Sequence, residues 1–229
     1  MEERSQLRKS SDRACQKLED IRREMSGVEE GLTADEWLQT RAHIGVLMAG
    51  FDEEMEAIDG RLRTTGARSR IIRYLQLRIG QTVTKDEISG VAGIHEWARR
   101  VRELRQDEGW AIHSSNTLPS LRVGEYSLLA MNPDPDLART WTLARQMQKL
   151  KTAGGVLPPK RRVLEFLRAI YPLSADREQL AHVAGSGQDA ARVVDELAAE
   201  GWSILVGTTT EASSHGDLRL GSLLRVERP

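Results

Sequence analysis

Residues 84–110 read TKDEISGVAGIHEWARRVRELRQDEGW, and the fold turns on this stretch. Thr84 is placed to cap a helix, and Glu87 three residues on completes a capping box, in which each side chain bonds the other's backbone N–H. Gly93 falls where the chain must reverse, and a residue without Cβ does so at little steric cost. From Ile94 the apolar residues recur at 94, 97, 98, 101 and 104, one face of a second helix. His95, Glu96, Arg99, Arg102, Glu103 and Gln106 fall on the opposite face. The spacing predicts a short helix, a glycine turn and a longer, basic helix.

Two helices with one cationic outer face have the layout of a helix-turn-helix, whose second helix enters the DNA major groove. The flanks extend the pattern. Upstream, Ser69–Ile79 predicts a leading helix with Ile71, Ile72, Leu75 and Ile79 on one side. Downstream, residues 110–113 form a short β-like run, 114–124 a loop, and 125–129 a returning strand. Helix, helix, recognition helix and β-wing make a winged helix over 66–131.

Bulk composition sets outer limits. The 229 residues carry 29% charged side chains at a net charge of −1, which fits a globular chain of one to three small domains. Aromatics at 4% argue against a single-strand binder built on stacking platforms. The single cysteine, Cys15, excludes internal disulfides and cysteine-based zinc sites. No apolar run approaches the ~20 residues of a membrane span, and the charged N-terminus does not resemble a signal peptide. The expectation is a cytoplasmic protein with no membrane contact.

Charge is unevenly placed. Residues 1–63 carry 10 basic and 15 acidic side chains, whereas 64–131 carry 10 and 7. Positive charge therefore gathers on the helix-turn-helix, as an anionic partner requires.

Residues 1–63 hold two heptad-like patterns. The first runs through Leu7, Ser11, Ala14, Leu18, Ile21, Met25 and Val28. The second runs through Trp37, Arg41, Ile44, Met48, Phe51, Met55, Ile58 and Leu62, after a capping box at Thr33 and Glu36. An antiparallel coiled-coil hairpin follows. It buries little alone, so a homodimer or a partner subunit is expected through 1–63. Past residue 131, Asn132-Pro-Asp-Pro-Asp136 stops the strand, and 134–156 reads as a connecting helix and linker with Leu137, Trp141, Ala144 and Met147 on one side.

Residues 157–229 repeat the first winged helix at an offset of 92 residues. Val91-Ala92-Gly93 matches Val183-Ala184-Gly185, Arg100-Val101 matches Arg192-Val193, and Gly109-Trp110 matches Gly201-Trp202. The second wing, 207–221, is longer. The counterpart of the basic helix keeps Arg192 among Asp189, Asp195, Glu196 and Glu200, so this copy reads as a structural or protein-contact domain, or as a weak DNA contact through its wing and Lys160-Arg161-Arg162. The fold class expected is mainly α with small β-wings: a hairpin followed by two tandem winged helices.

The string HEWARRVRELRQDEGWAIHSSN (95–116), with VTKDEISGVAG before it and the Gly-Glu-Tyr return strand after it, resembles the winged-helix DNA-binding module of HNH-type bacterial restriction endonucleases. That resemblance covers about 66–131 and implies a module that positions a protein on duplex DNA. It carries no catalysis over, because the His-Asn-His nuclease arrangement has no counterpart in this chain. Tandem winged helices of kleisin-binding subunits in chromosome-organising complexes are similar in architecture alone.

Chemistry beyond binding is not indicated. The five histidines, 43, 95, 113, 182 and 215, lack metal-ligand spacing, and His43 reads as an ordinary helix residue. None of the six lysines ends a Glu-x-Lys or Asp-x-Lys nuclease pattern, and His215-Gly-Asp217 reads as a polar loop. No catalytic residue, metal or cofactor is expected. The expected DNA contacts are His95, Arg99, Arg100, Arg102 and Gln106 on the recognition helix, and Ser114, Ser115, Asn116 and Arg122 on the wing. Arginine suits the task because its planar fork binds guanine O6 and N7 together or spans phosphate oxygens. Arg99 and Arg102 are expected in the groove. Arg100 and Arg105 are expected to touch backbone or to pair with Glu103 and Glu108, and Trp97, Trp110 and Trp202 to lie in the core. The leading reading is a non-catalytic duplex-DNA binder, either a transcriptional regulator or the recognition part of a restriction or defence system. The rivals are a protein-interaction subunit of a chromosome-organising or defence complex, and a nuclease with an unrecognised site.

Overall fold

A computed structural model describes residues 2–28, 31–152, 155–185, 189–207 and 223–227. The chain is mainly helical with small antiparallel sheets, and it divides into two compact units, 1–70 and 71–229.

The first unit is a hairpin of α1 (Glu2–Ser26) and α2 (Ala34–Arg61). The capping box forms as expected: Glu36 N–H donates to Thr33 Oγ1 at 3.3 Å, and Thr33 N–H donates to Glu36 Oε2 at 2.9 Å. The seam differs from the expected one. Leu7, Ala14 and Ile21 turn inward, but they are joined by Ser10, Lys17 and Glu24 in place of Ser11, Leu18 and Met25. On α2, Leu47 is buried while Met48, Met55 and Leu62 stay exposed. A polar clasp accompanies the rotation. Arg13 Nε donates to Glu54 Oε1 at 2.6 Å, and buried Ser10 Oγ accepts from Arg13 (3.1 Å) and from Arg61 (2.7 Å). His43 Nδ1 lies 3.2 Å from Glu24 on the same flank. Arg70, the last residue of this unit, pairs with Asp59 at 2.9 Å and with Glu56 at 3.3 Å.

The second unit opens with α3 (Ala67–Leu77), whose first turn belongs to the first unit, then β1 (Val83–Thr84), α4 (Lys85–Ala92), α5 (Trp97–Gln106), β2 (Ile112–Ser114) and β3 (Glu125–Leu128). The strands form one antiparallel sheet in the order β1-β3-β2, with Val83 opposite Tyr126 and Ile112 opposite Leu128. Ile71, Leu75, Val83, Ile88, Val101, Leu104, Ile112 and Leu128 are buried. Ile79 lies beyond the end of α3 and is exposed, contrary to expectation. Thr84 and Glu87 make their reciprocal bonds (Thr84 N–H to Oε2, 2.8 Å; Glu87 N–H to Oγ1, 3.2 Å). Gly93 ends α4 at φ 63°, ψ 22°, the left-handed conformation that favours glycine. Residues 94–96 continue as a turn, so α5 begins three residues later than the apolar spacing suggested, and Ala98 faces solvent.

Then come α6 (Pro135–Lys149), the short pair β4 (Lys151–Thr152) and β5 (Gly155–Val156), α7 (Pro159–Ile170), α8 (Arg177–Ala184), α9 (Ala190–Ala199), β6 (Ser203–Gly207) and β7 (Leu223–Glu227). Asp134 caps α6 by accepting from Asp136 N–H at 2.9 Å. The helix is not a spacer. Its Trp141 and Ala144 are fully buried in one core with Val163, Phe166 and Leu167 of α7, Leu180 and Val183 of α8, and Val193 and Leu197 of α9. The apolar side read as a connector is thus a core face.

Element for element, α7, α8, α9 and β6 follow α3, α4, α5 and β2 at the offset of 92. The capping box recurs as Asp176 and Gln179, with Gln179 N–H donating to Asp176 at 2.7 Å and Asp176 N–H donating to Gln179 at 3.0 Å. The long second wing, with His215 and Asp217, lies outside the described residues.

Candidate nucleic-acid interface

α5 carries the expected contact residues, and its ion pairs sort them. Arg99 is exposed, its Nε 3.1 Å from Glu103 Oε1 and its Nη1 3.5 Å from Glu96. Arg100 is half-buried and held by Glu103 at 2.8 Å. The hydrogen bond from Arg100, with help from Arg99, holds the Glu103 carboxyl below the usual carboxylate range. Arg102 is exposed, and among the described residues it makes no hydrogen bond or ion pair. His95 is exposed in the turn before the helix, and Gln106 is half-buried at its end.

Arg105 turns away from this outer face. Its guanidinium makes a bidentate pair with Glu178 of α8 (3.2 and 2.5 Å) and retains 12% exposure. Next to it, Asp107 pairs with Arg145 of α6. The second repeat therefore grips the C-terminal end of α5 and leaves its N-terminal two turns open. Sequence reading offered Glu108 as the partner of Arg105; a contact across 73 residues left no local signal.

The wing is less open than a free loop. Thr117, Leu118 and Leu121 are buried. Thr117 Oγ1 accepts from Ser114 N–H (3.1 Å) and donates to Ser114 O (3.3 Å). Ser114 closes β2 and is half-buried, as is Ser115, while Asn116 is exposed. Arg122 and Val123 stand out at the tip, Val123 at 93% exposure. Lys85, which the sequence reading passed over, joins them. Its N–H donates to Gly124 O at 2.7 Å, and its side chain lies along Gly124. A lysine directly after an N-cap, where acids are favoured, was the signal available.

Behind α5, Trp97 meets Tyr126 of β3 edge-on at 5.9 Å. Trp97, Trp110 and Trp202 are half-buried; the fully buried tryptophan is Trp141. Arg168 lies over the Trp202 ring at 4.5 Å from its centre. In the second repeat each member of the basic run 160–162 has a partner within the chain, although only Arg162 is buried. Lys160 pairs with Glu200, Arg161 with Glu165 at 3.0 Å, and buried Arg162 donates to Ala184 O. Among the described residues, no cluster of three His, Cys, Asp or Glu side chains is placed to hold a metal ion. The arrangement offers exposed cations and hydrogen-bond donors on one helix and one wing tip.

Residues 68–129 match the family model of the KpnI N-terminal domain. The match spans the first repeat and links this part of the chain to restriction systems. No curated protein and no solved structure matches the chain. No described helix is long and apolar enough to cross a membrane.

Proposed function

We propose that this protein is the DNA-recognition component of a restriction or defence system. In this reading it binds duplex DNA without cutting it, through the first repeat acting as a winged helix. The observation that carries this is the exposure of Arg99 and Arg102 on the outer face of α5, inside the segment that matches the KpnI N-terminal domain. Arg102 is free to fork onto a guanine or a phosphate. Arg99 exchanges Glu103 for the DNA, and Arg100 keeps that carboxylate paired. Asn116, Arg122 and Lys85 then meet the flanking backbone from the wing. Arg105 takes no part, because Glu178 already holds it.

A mobility-shift experiment with full-length protein tests the proposal, using duplex and single-stranded DNA of the same random sequence in Mg²⁺. A shifted duplex, a weaker single-strand shift and no cleavage products are expected. Cleavage would transfer the assignment to a nuclease, and absence of any shift at low salt would leave a protein-interaction subunit.

A further inference from the structure

The hairpin seam leaves a second apolar stripe outside. On α1 it comprises Leu18 (51% exposed) and Met25 (47%); on α2 it comprises Met48 (55%) and Met55 (44%), continued by Leu62 (55%) at the C-cap. Residues seven apart recur on one side of a helix, so each set forms a line. Both lines lie on the same flank of the hairpin, opposite the flank closed by Arg13–Glu54, Ser10–Arg61 and Glu24–His43. Half-buried Ile21, Ile44, Phe51 and Ile58 lie between the lines and widen the patch. An apolar heptad stripe on each of two antiparallel helices is half of a four-helix bundle core.

We propose that the occupant of this stripe is a second copy of the hairpin, packed with α1 of each chain against α2 of the other. The borders of the stripe argue for this partner. Beyond the apolar line, α1 carries Arg8, Cys15 and Arg22, the last paired with Glu19, whereas α2 carries Arg41, Gly45, Asp52 and Asp59, the last paired with Arg70. Two face-to-face hairpins related by a twofold have two arrangements. With the axis across the helices, α1 meets α1 and α2 meets α2, so arginine borders arginine and aspartate borders aspartate. With the axis along the helices, the α1 border of each chain meets the α2 border of the other, which sets Arg8 level with Asp59 and avoids both like-charge contacts. Opposite charges at the edges of a helical seam select partner and orientation. The contact is isologous and closes on itself as a dimer.

The register makes the model specific. Arg13 lies beside Glu54, and the Lys17 side chain packs on Gly50. The same register sets Cys15 level with Asp52, and a twofold along the helices preserves levels. Cys15 of one chain therefore faces Asp52 of the other, while the two Cys15 residues sit at opposite corners.

Sedimentation equilibrium of the full chain and a disulfide trap test the proposal together. The wild type is expected to be a dimer, and Leu18→Glu or Met48→Glu to weaken it at least tenfold while helicity by circular dichroism stays constant. Under mild oxidation, Asp52→Cys is expected to give a covalent dimer that disappears when Cys15→Ser is added. A wild-type monomer at high concentration, or a dimer indifferent to both glutamates, overturns the proposal. So does rapid Cys15–Cys15 coupling in the wild type, or a covalent dimer that survives Cys15→Ser, because either places like helices together.

Discussion

His113 sets a pH dependence that can be worked out from its surroundings. It lies on β2 opposite Ser127, with its Nδ1 enclosed and without a hydrogen-bond partner. Burial first, and then the positive charge of Arg105, push the imidazole from its ordinary value down to about 4; Glu178 opposes the shift in part. In the unfolded chain the same group titrates near ~6.5. Between these values the unfolded chain binds more protons than the folded one, so stability falls as the pH drops through that window. Full stability from this group is present above ~6.5, and the loss is complete near the folded value. Linkage puts the loss at about 2 kcal/mol between pH 7 and pH 5. His182, shifted down by burial and then by Arg145, acts in the same sense. Asp176 acts in the opposite sense, because burial raises its carboxyl. The comparison with His113→Gln isolates the one contribution. Urea unfolding of both proteins at pH 7, 6 and 5 is expected to show a wild-type decline steeper by about 2 kcal/mol over the range. Identical slopes would refute the enclosure of a neutral imidazole at this site.

Two further perturbations probe the packing. Trp141→Ala is expected to cost about 3–5 kcal/mol in urea unfolding, because the ring is buried in the core of the second repeat; a connector helix would lose under ~0.5. Gly109→Ala and Gly201→Ala occupy equivalent places at φ 78° and φ 89°, yet a Cβ at 109 would sit 2.1 Å from Asp134 O while one at 201 meets nothing. The second is expected to cost about 1 kcal/mol, and the first clearly more, in the same assay. Equal costs would show that the approach of residue 134 to the α5–β2 turn is not a fixed feature.

Much of this architecture is local chemistry and could be read from the chain. The capping boxes at Thr33, Thr84 and Asp176, the glycine after α4 and the periodicity of α5 are interactions over three to seven residues. Each was visible in the sequence or through its copy at the offset of 92. What stayed hidden depends on distant partners. Heptad spacing on α1 and α2 was legible, but which of two adjacent stripes closes was not; it goes with contacts such as Arg13–Glu54, which join residues 41 apart. The apolar side of 137–150 was legible too, although not the core it would enter. At the candidate interface, helical phase sets Arg99 and Arg102 on the outer face of the helix and Arg100 and Arg105 at its flanks. Arg99 and Arg100 share Glu103, whereas the partner of Arg105, Glu178, lies 73 residues away and only the fold brings it near. The wing serines read as free donors because the burial of Thr117, Leu118 and Leu121, which folds the loop down, has no simple pattern.

The most direct test of the central claim is the salt dependence of duplex-DNA binding by fluorescence anisotropy, measured for the full chain between ~50 and ~200 mM salt. Wild type should bind at low salt with a steep slope of log K against log salt. Arg99→Ala and Arg102→Ala should each weaken binding and lower that slope by about one, and Arg105→Ala should leave the slope unchanged. No binding at low salt, or a slope indifferent to both Arg99→Ala and Arg102→Ala, would contradict the account.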